Sequence, residues 1–290
     1  MITLAVQHAP PRVNTMWRST GILALRELRE AIASRWFLLY TIAFVALGLG
    51  VSYVSAAGTG SLGLSGFGRT TAGLINLVLL VVPLMALTAG AGTIASDRER
   101  GMLPYLLAQP INRFELLLGK FVGLSLALLA CICLGLGGCA AILAWKGETT
   151  DPASLVWLAG LSFGLAVCML SVGMLVSVLA RKASVAVGTA VFLWLVLVFV
   201  TDLGLMAGAL AFRLKIETLF FLCLGNPLQV FKMWTLHEAE ASLDVLGPAG
   251  LYASDTYGGG LRWMFAGAMA AWTVLPLAAA GILFSRRSPV

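Results

Sequence analysis

The chain has 290 residues, of which 60% are hydrophobic and 11% are charged, and its mean hydropathy is +0.95. A soluble domain carries about a quarter charged residues, so this composition excludes an ordinary soluble protein. The net charge of +6 is explained by membrane topology, and no nucleic-acid partner is needed to account for it. We expect an all-α polytopic membrane protein whose residues 1–290 form a single domain.

Six stretches lack Asp, Glu, Lys and Arg and are long enough to cross a bilayer, because a span needs roughly 20 apolar residues. They are 36–68, 70–96, 121–145, 152–180, 183–201 and 263–285. With the N-terminus inside, most of the 19 Lys and Arg residues fall in inner segments, as the positive-inside rule requires. The sequence therefore predicts six transmembrane helices with both termini in the cytoplasm.

Residues 13–35 precede the first span and have the pattern of an amphipathic helix. Apolar residues recur there at three- and four-residue spacing, as on one face of a helix, at Ile22, Leu25, Leu28 and Ile32. The charged residues between them are Arg26, Arg29 and Glu30. This pattern predicts a helix on the inner membrane surface. It is either a simple anchor or an elbow helix that also contacts a partner.

A polar island at 96–120 separates the second and third spans. Ser96 with Glu99, and Asn112 with Glu115 after Pro110, have the spacing of a capping box, which marks a helix start. The residues between these starts include an apolar edge, formed by Leu103, Leu106 and Leu107. A solvated loop would explain the charges but not this edge, so we expect a partner protein to cover it.

Residues 203–262 form one sizeable segment on the outer side. Asn226-Pro227 has the sequence of an N-cap followed by a first helical residue. Val230, Phe231 and Trp234 would line one face of a short amphipathic helix with an acidic tail, which predicts a partly immersed outer lid. The 20-residue length of a span places Asp202 at the outer interface, where it would not couple an ion gradient.

Several kinds of site are absent from the sequence. No nucleotide-binding Gly-x4-Gly-Lys-Ser/Thr motif occurs, and no span has a charged residue near its middle, so neither an ATPase nor a secondary carrier is expected. Cys131 and Cys133 are two apart on a helix and point to opposite faces, so they cannot share one metal ion. The sequence predicts no disulfide, no metal site and no catalytic residues.

Four sequence features together resemble the type-2 family of ABC transporter permeases. They are the six spans with an elbow, Glu99-Arg100-Gly101, the run from Gln109 to Lys120, and Asn226-Pro227 before the last span. Residues 34–40, 66–70 and 74–77 are similar to the permeases of systems that mature the copper enzyme nitrous oxide reductase.

This resemblance implies a homodimer in the bacterial inner membrane that couples ATP hydrolysis to transport or to mechanical work. Each copy would seat a cytoplasmic ABC ATPase (NosF-like), which holds the ATP and Mg. The outer segment would hold a periplasmic NosD-like protein and, through it, a copper chaperone. The alternative is a membrane scaffold for maturation proteins without energy coupling.

The resemblance also assigns site residues. The inner coupling loop, 96–115, would contact the ATPase through Asp97, Arg98, Glu99, Arg100, Gly101, Leu103, Leu106, Leu107, Gln109, Pro110, Arg113 and Glu115. The elbow would contribute Arg26, Arg29 and Glu30. The periplasmic partner would meet the outer segment at Asn226, Trp234, Glu238, Glu240 and Asp244.

Overall fold

A computed structural model describes residues 13–57, 66–108, 112–145, 152–200, 203–204, 216–238 and 258–286. These residues are helical almost throughout. The α-helices are α1 (Val13–Ala33), α2 (Arg35–Ala57), α3 (Gly66–Glu99), α4 (Met102–Leu107), α5 (Arg113–Trp145), α6 (Pro152–Leu179), α7 (Ala183–Leu195), α8 (Ile216–Leu224), α9 (Pro227–Glu238) and α10 (Leu261–Arg286). A π-helical turn, Val196–Val200, continues α7, and a 3₁₀ turn, Gly258–Gly260, precedes α10.

Four stretches within these described ranges are long and apolar enough to cross a membrane. They are Ala72–Glu99, Arg113–Ile142, Ala153–Leu179 and Leu261–Arg286. Thr20–Ala33 and Arg35–Val51 meet at a bend of 67° and would add a fifth if they form one span, while Ala183–Phe199 is apolar but shorter. The chain is therefore a helical multi-pass membrane protein. The predicted first and fifth spans, and the side on which the termini lie, stay predictions.

Helices α3 and α6 cross at the centre of the bundle with their backbones in contact. A Cβ on Gly90 would lie 2.7 Å from the Leu170 carbonyl oxygen, and one on Gly173 would lie 2.5 Å from the Leu87 carbonyl oxygen. Small residues permit such close crossings in lipid, where packing must replace the hydrophobic drive. One turn closer to the C-terminal end of α3, the Ser177 hydroxyl accepts hydrogen bonds of 2.9 Å from the backbone N–H groups of Ile94 and Ala95. This crossing holds the apolar core between α3, α5 and α6.

Helix α1 packs along the first turns of α5 through a second pair of glycines. A Cβ on Gly119 would lie 2.7 Å from the Leu23 Cβ, and one on Gly123 would lie 2.5 Å from the Ala24 carbonyl oxygen. Glycines four residues apart on α5 therefore serve close packing within this chain. Gly160 and Gly164 of α6 are also four residues apart, but Gly160 makes no such crossing, because no atom lies within 4 Å of the place that its Cβ would take.

Candidate functional site

Helix α3 continues through the start of the polar island and ends only at Glu99. The prediction that Ser96 begins a helix is wrong, because Ser96 lies in the last turn of α3 and its hydroxyl donates to the Thr93 carbonyl. Gly101 ends the helix with a φ of 68°, and its N–H donates to the Arg98 carbonyl. Glycine adopts this left-handed conformation without a Cβ clash, which explains its place after the helix.

Two charged residues in the last turn of α3 bind the ends of neighbouring helices. The Arg98 guanidinium donates to the Ala180 carbonyl oxygen, directly after the last residue of α6. The Glu99 carboxylate accepts a 2.9 Å hydrogen bond from the Ala183 backbone N–H, the first of α7. A cation suits the negative end of a helix dipole and an anion its positive end. Glu99 therefore caps α7, and not its own helix as the capping-box spacing predicts.

The short helix α4 has its leucine edge turned into this chain. Leu103 is fully buried and Leu106 is 5% exposed. They pack in an inner cluster of apolar residues from α3, α5, α6 and α10 that includes Ile94, Leu116, Leu117, Met174, Val178, Ala280 and Phe284. The expectation that a partner covers this edge is wrong for Leu103 and Leu106, because the helix ends of the same chain already cover it.

Exposed apolar side chains lie on α4 and the start of α5 instead. Tyr105 is 71% exposed, Phe114 49% and Met102 47%. Sequence reasoning missed them because a helical pattern shows which residues share a face but not which face is covered. We call these three residues the inner knob. A partner can contact the inner knob directly, whereas Leu103 and Leu106 fix α4 against the apolar cluster of this chain.

The second predicted helix start is confirmed at Asn112. Helix α5 begins at Arg113, and the Glu115 carboxylate accepts from the Asn112 backbone N–H and side-chain amide at 3.4 and 3.2 Å. Arg113 donates at 2.9 Å to the Phe284 carbonyl near the end of α10, and its guanidinium lies 5.9 Å from the centre of the Phe284 ring. The start of α5 is thus bound to the end of α10.

Lys120 joins three helices through a buried ionic triad. Its Nζ lies 2.9 Å from Glu27 Oε2 of α1 and 2.9 Å from Asp97 Oδ2 of α3, and its side chain is only 7% exposed. The contact with Asp97 is an ion pair at this distance without the alignment of a hydrogen bond. A buried ammonium needs such partners, because an unpaired charge out of water is strongly destabilising. The sequence pattern included Asp97 but neither Lys120 nor Glu27 as a site residue.

The remaining predicted inner residues differ in what they can contact. Arg26 and Glu30 form an exposed ion pair of 2.7 Å on α1. Arg29 and Arg100 are exposed, so their side chains are available to a partner. Three predicted contacts lie outside what the structure describes, namely the Leu107 side chain, Gln109 and Pro110.

At the other end of the bundle, α9 is a buried wedge and not the predicted amphipathic lid. Asn226 is the predicted N-cap, since its Oδ1 accepts a 2.9 Å hydrogen bond from the Leu228 N–H. Its amide donates at 2.7 Å to the Leu197 carbonyl of the π-helical turn, and the residue is 3% exposed. Val230 and Phe231 are fully buried. Asn226 therefore holds α9 in the bundle and is too deep to touch a partner.

The other predicted outer contacts are partly engaged within the chain. The Trp234 indole N–H donates to Glu238 at 3.2 Å, and Arg262 of α10 donates to the same carboxylate at 2.8 Å. Glu238 therefore binds α9 to α10. Glu240 and Asp244 lie outside the described residues.

Cys131 is buried and Cys133 is exposed, so the prediction that they occupy opposite faces is confirmed. The described part of the chain contains no group of three His, Cys, Asp or Glu residues that could hold a metal ion.

The sequence of this chain is similar to those of known membrane proteins. Residues 21–288 match the sequence profile described as ABC-2 family transporter protein. The chain belongs to the ABC-2 transporter family. It is 30% identical over 281 residues to the probable ABC transporter permease protein NosY of Stutzerimonas stutzeri, covering 95% of this chain and 99% of that one. It is 33% identical over 277 residues to the protein of the same name from Pseudomonas aeruginosa, covering 91% and 97%.

This ABC-2 permease is thus similar to NosY over nearly its whole length. The resemblance seen in the sequence is confirmed at the level of the family and of the NosY-like permeases. The chain is therefore a membrane permease component of an ABC transporter.

Proposed function

We propose that this chain converts ATP hydrolysis by a separate cytoplasmic ABC ATPase into movement of its own transmembrane bundle. The observation that carries the proposal is the convergence of helix ends on the segment from Asp97 to Lys120. Arg98 and Glu99 bind the ends of α6 and α7, Arg113 binds the end of α10, and Lys120 binds α1 to α3. A force applied to α4 reaches all of these helices at once.

The inner knob is the contact that receives this force. Its exposed Met102, Tyr105 and Phe114 suit an apolar groove on an ATPase surface, and exposed Arg100 lies beside them in the chain. The coupling role assigned from the family to 96–115 is therefore divided. The knob contacts the ATPase, while Leu103, Leu106, Arg98, Glu99, Arg113 and Glu115 hold the knob and pass its displacement on.

The full assembly that we propose has two copies of this chain in the bacterial inner membrane, each with six spans and cytoplasmic termini. The bend of 67° between α1 and α2 suits an elbow at the inner surface, with Arg26, Arg29 and Glu30 beside the ATPase. Each copy seats a NosF-like ATPase that holds ATP and Mg, and this chain itself has no catalytic role and binds no cofactor.

The similarity to NosY favours a role in copper-site assembly of nitrous oxide reductase, with a NosD-like protein on the periplasmic segment 203–262. A close-packed bundle transmits displacement as a rigid body because its interior has little free volume. The output is transport or mechanical work on that outer partner. With Asn226 buried and Glu238 engaged, Trp234, Glu240 and Asp244 are the remaining proposed outer contacts.

The test replaces Tyr105 with alanine and measures copurification of the ATPase and the ATP hydrolysis rate of the complex. Truncating an aromatic hot-spot residue to alanine typically weakens binding by about 2 kcal/mol or more, which lowers the affinity roughly 30-fold. Phe192→Ala is the matched control, because Phe192 is 67% exposed on α7, away from the knob.

An ATPase that binds Tyr105→Ala as tightly as the unaltered chain would show that the knob is not the contact. A separate variant of the ATPase that cannot hydrolyse ATP distinguishes coupling from scaffolding. If complexes with that variant still mature nitrous oxide reductase in cells, this chain serves as a scaffold without energy coupling.

A further inference from the structure

A cleft of about 600 Å³ opens between α1, α2, α3, α5 and α7. Glu30, Asp97, Arg100 and Lys120 line one end of it, while its apolar lining has no part in the proposed coupling. Its wall along α3 extends from Asp97 to Met85, which spans about 18 Å at the rise of an α-helix. One leaflet of a bilayer has a hydrocarbon thickness of about 15 Å. The cleft therefore reaches from the membrane surface to the depth of the bilayer centre.

The two ends of the cleft differ in chemistry. The deep end is lined mainly by the apolar side chains of Met85, Ala89 and Leu124, together with Tyr40 and Thr88, whose hydroxyl already donates to the Leu84 carbonyl. The shallow end is lined by charged and hydroxyl-bearing residues, namely Glu27, Glu30, Asp97, Arg100, Lys120 and Ser184. A ligand that satisfies both ends is an amphiphile about one leaflet long.

The charges at the mouth select the kind of headgroup. Lys120 is already matched by Glu27 and Asp97. Glu30 pairs with Arg26 through Oε1 at 2.7 Å, but its side chain is still 55% exposed. Arg100 is exposed as well, so an accessible carboxylate and an accessible guanidinium lie at the mouth. A zwitterion matches such a pair, with its ammonium on the carboxylate and its phosphate on the guanidinium, whose planar fork suits phosphate. With Arg26, which pairs with Glu30, three carboxylates at this mouth are balanced by three cations, and such a balance suits a zwitterionic headgroup better than an anionic one.

We propose that this cleft binds one phosphatidylethanolamine molecule, with an acyl chain along α3 and its headgroup between Glu30 and Arg100. Trp36 at the mouth is 72% exposed, as suits an indole at the headgroup level. The lipid belongs to the cytoplasmic leaflet in the orientation proposed above, but the cleft and its charges do not depend on that orientation. Because the acyl chain is already out of water in the bilayer, the preference for this site over bulk lipid rests on close packing along α3 and on pairing of the headgroup.

Gly92 provides a direct way to close the cleft. It lines the cleft, and no atom lies within 4 Å of the position a Cβ would take. Gly92→Leu should therefore occupy the path of the acyl chain without displacing a neighbour. Gly160→Leu is the matched control, because Gly160 is equally open, also lies within a membrane-spanning helix and does not line the cleft.

The experiment is native mass spectrometry of the full chain, purified in detergent that strips bulk lipid and titrated with palmitoyl-oleoyl phosphatidylethanolamine or with the matching phosphatidylglycerol. We expect one phosphatidylethanolamine retained per chain, at least tenfold preference over phosphatidylglycerol, and at least tenfold weaker retention in Gly92→Leu but not in Gly160→Leu. Glu30→Gln should shift the preference toward phosphatidylglycerol, since it removes the accessible carboxylate.

Equal lipid retention by Gly92→Leu and Gly160→Leu would overturn the site. Equal binding of both lipids to the unaltered chain would overturn the headgroup assignment. Disulfide crosslinking between copies through a cysteine placed at Gly92 would show that a second copy covers the cleft, and would also overturn the proposal. These measurements use the chain without its ATPase, so they test the lipid site separately from the ATPase contacts that Glu30 and Arg100 are also proposed to make.

Discussion

The two ends of this bundle are held together by different means. At the end that is predicted to be cytoplasmic, which we call the inner end, charged side chains at the turn between α3 and α5 bind the ends of α6, α7 and α10, and Lys120 is the centre of a three-helix triad. At the opposite end, which we call the outer end, helix α9 has seven of its twelve residues buried, is wedged in the bundle and is fixed by the amide of Asn226. An ion pair between Glu238 and Arg262 joins α9 to α10 at this end.

This difference suits a protein that receives force at one end. Charged contacts between helix ends are directional, so they move the helices together when one of them is displaced. A packed wedge resists displacement mainly through its volume, because protein interiors have few voids. The comparison predicts that single charge changes will be costly at the inner end, and that a buried amide will matter most at the outer end.

The largest effect is expected from Lys120→Met, which removes the charge but keeps the length of the side chain. Glu27 and Asp97 would then face each other without a cation, and both are largely buried. Breaking a buried ion pair by removing one partner costs about 3–5 kcal/mol. Thermal unfolding of the purified chain, followed by tryptophan fluorescence, should show a clear fall in melting temperature.

Two variants sharpen this result. Arg26→Gln breaks an ion pair whose side chains are about half exposed, and such surface pairs contribute about 0–1 kcal/mol. The triple variant Glu27→Gln, Asp97→Asn, Lys120→Met removes all three charges and should recover much of the lost stability. If Lys120→Met melts no earlier than Arg26→Gln, the triad does not hold the inner end together.

A smaller but still large effect is expected from Asn226→Ala at the outer end. The change removes the N-cap of α9, worth about 1 kcal/mol. It also leaves the buried Leu197 carbonyl without its amide donor, at about 1–3 kcal/mol. Together the free energy of unfolding should fall by roughly 2–4 kcal/mol, measured in the same thermal assay.

Asn226→Ser separates the two contributions, because a serine oxygen can cap the helix but is too short to reach Leu197. Compared with Asn226→Ala, this variant should regain only the contribution of the N-cap, about 1 kcal/mol of the free energy of unfolding. A serine variant as stable as the unaltered chain would mean that the bond to the π-helical turn contributes nothing, and the outer wedge would then rest on packing only.

These contacts mark where sequence reasoning succeeds. Asn112 with Glu115, and Asn226 before Pro227, were predictable because each cap joins residues within one helical turn. The long apolar spans followed from composition. In each of these cases the physical cause is local in the sequence.

The errors arise where the partner is distant in the sequence. Ser96 and Glu99 have the same spacing as the other cap, but Glu99 binds Ala183, 84 residues away. The leucine pattern of α4 correctly indicated a covered edge, yet the cover comes from α5, α6 and α10 and not from another protein. Lys120 ends a family motif in the sequence, and no local pattern indicates that it is buried between two carboxylates.

The smallest expected change in stability comes from alanine substitution of two neighbouring arginines at the inner end, Arg98 and Arg100. Arg98 is partly buried and donates to the end of α6, whereas Arg100 is exposed and beyond the helix-end contacts. Arg98→Ala should lower the free energy of unfolding by about 1 kcal/mol, since a cation at a helix C-terminus and its hydrogen bond are both lost. Arg100→Ala should leave the melting temperature unchanged.

In the complex with the ATPase, the same pair distinguishes transmission from contact. Arg98→Ala should keep the ATPase bound but uncouple its hydrolysis from the membrane subunit, because the knob is intact while its link to α6 is broken. Arg100→Ala should instead weaken ATPase binding, with the bundle unaffected. If both variants weaken binding equally and neither changes stability, Arg98 acts as a surface contact, and the inner end is not the mechanical junction that its hydrogen bonds indicate.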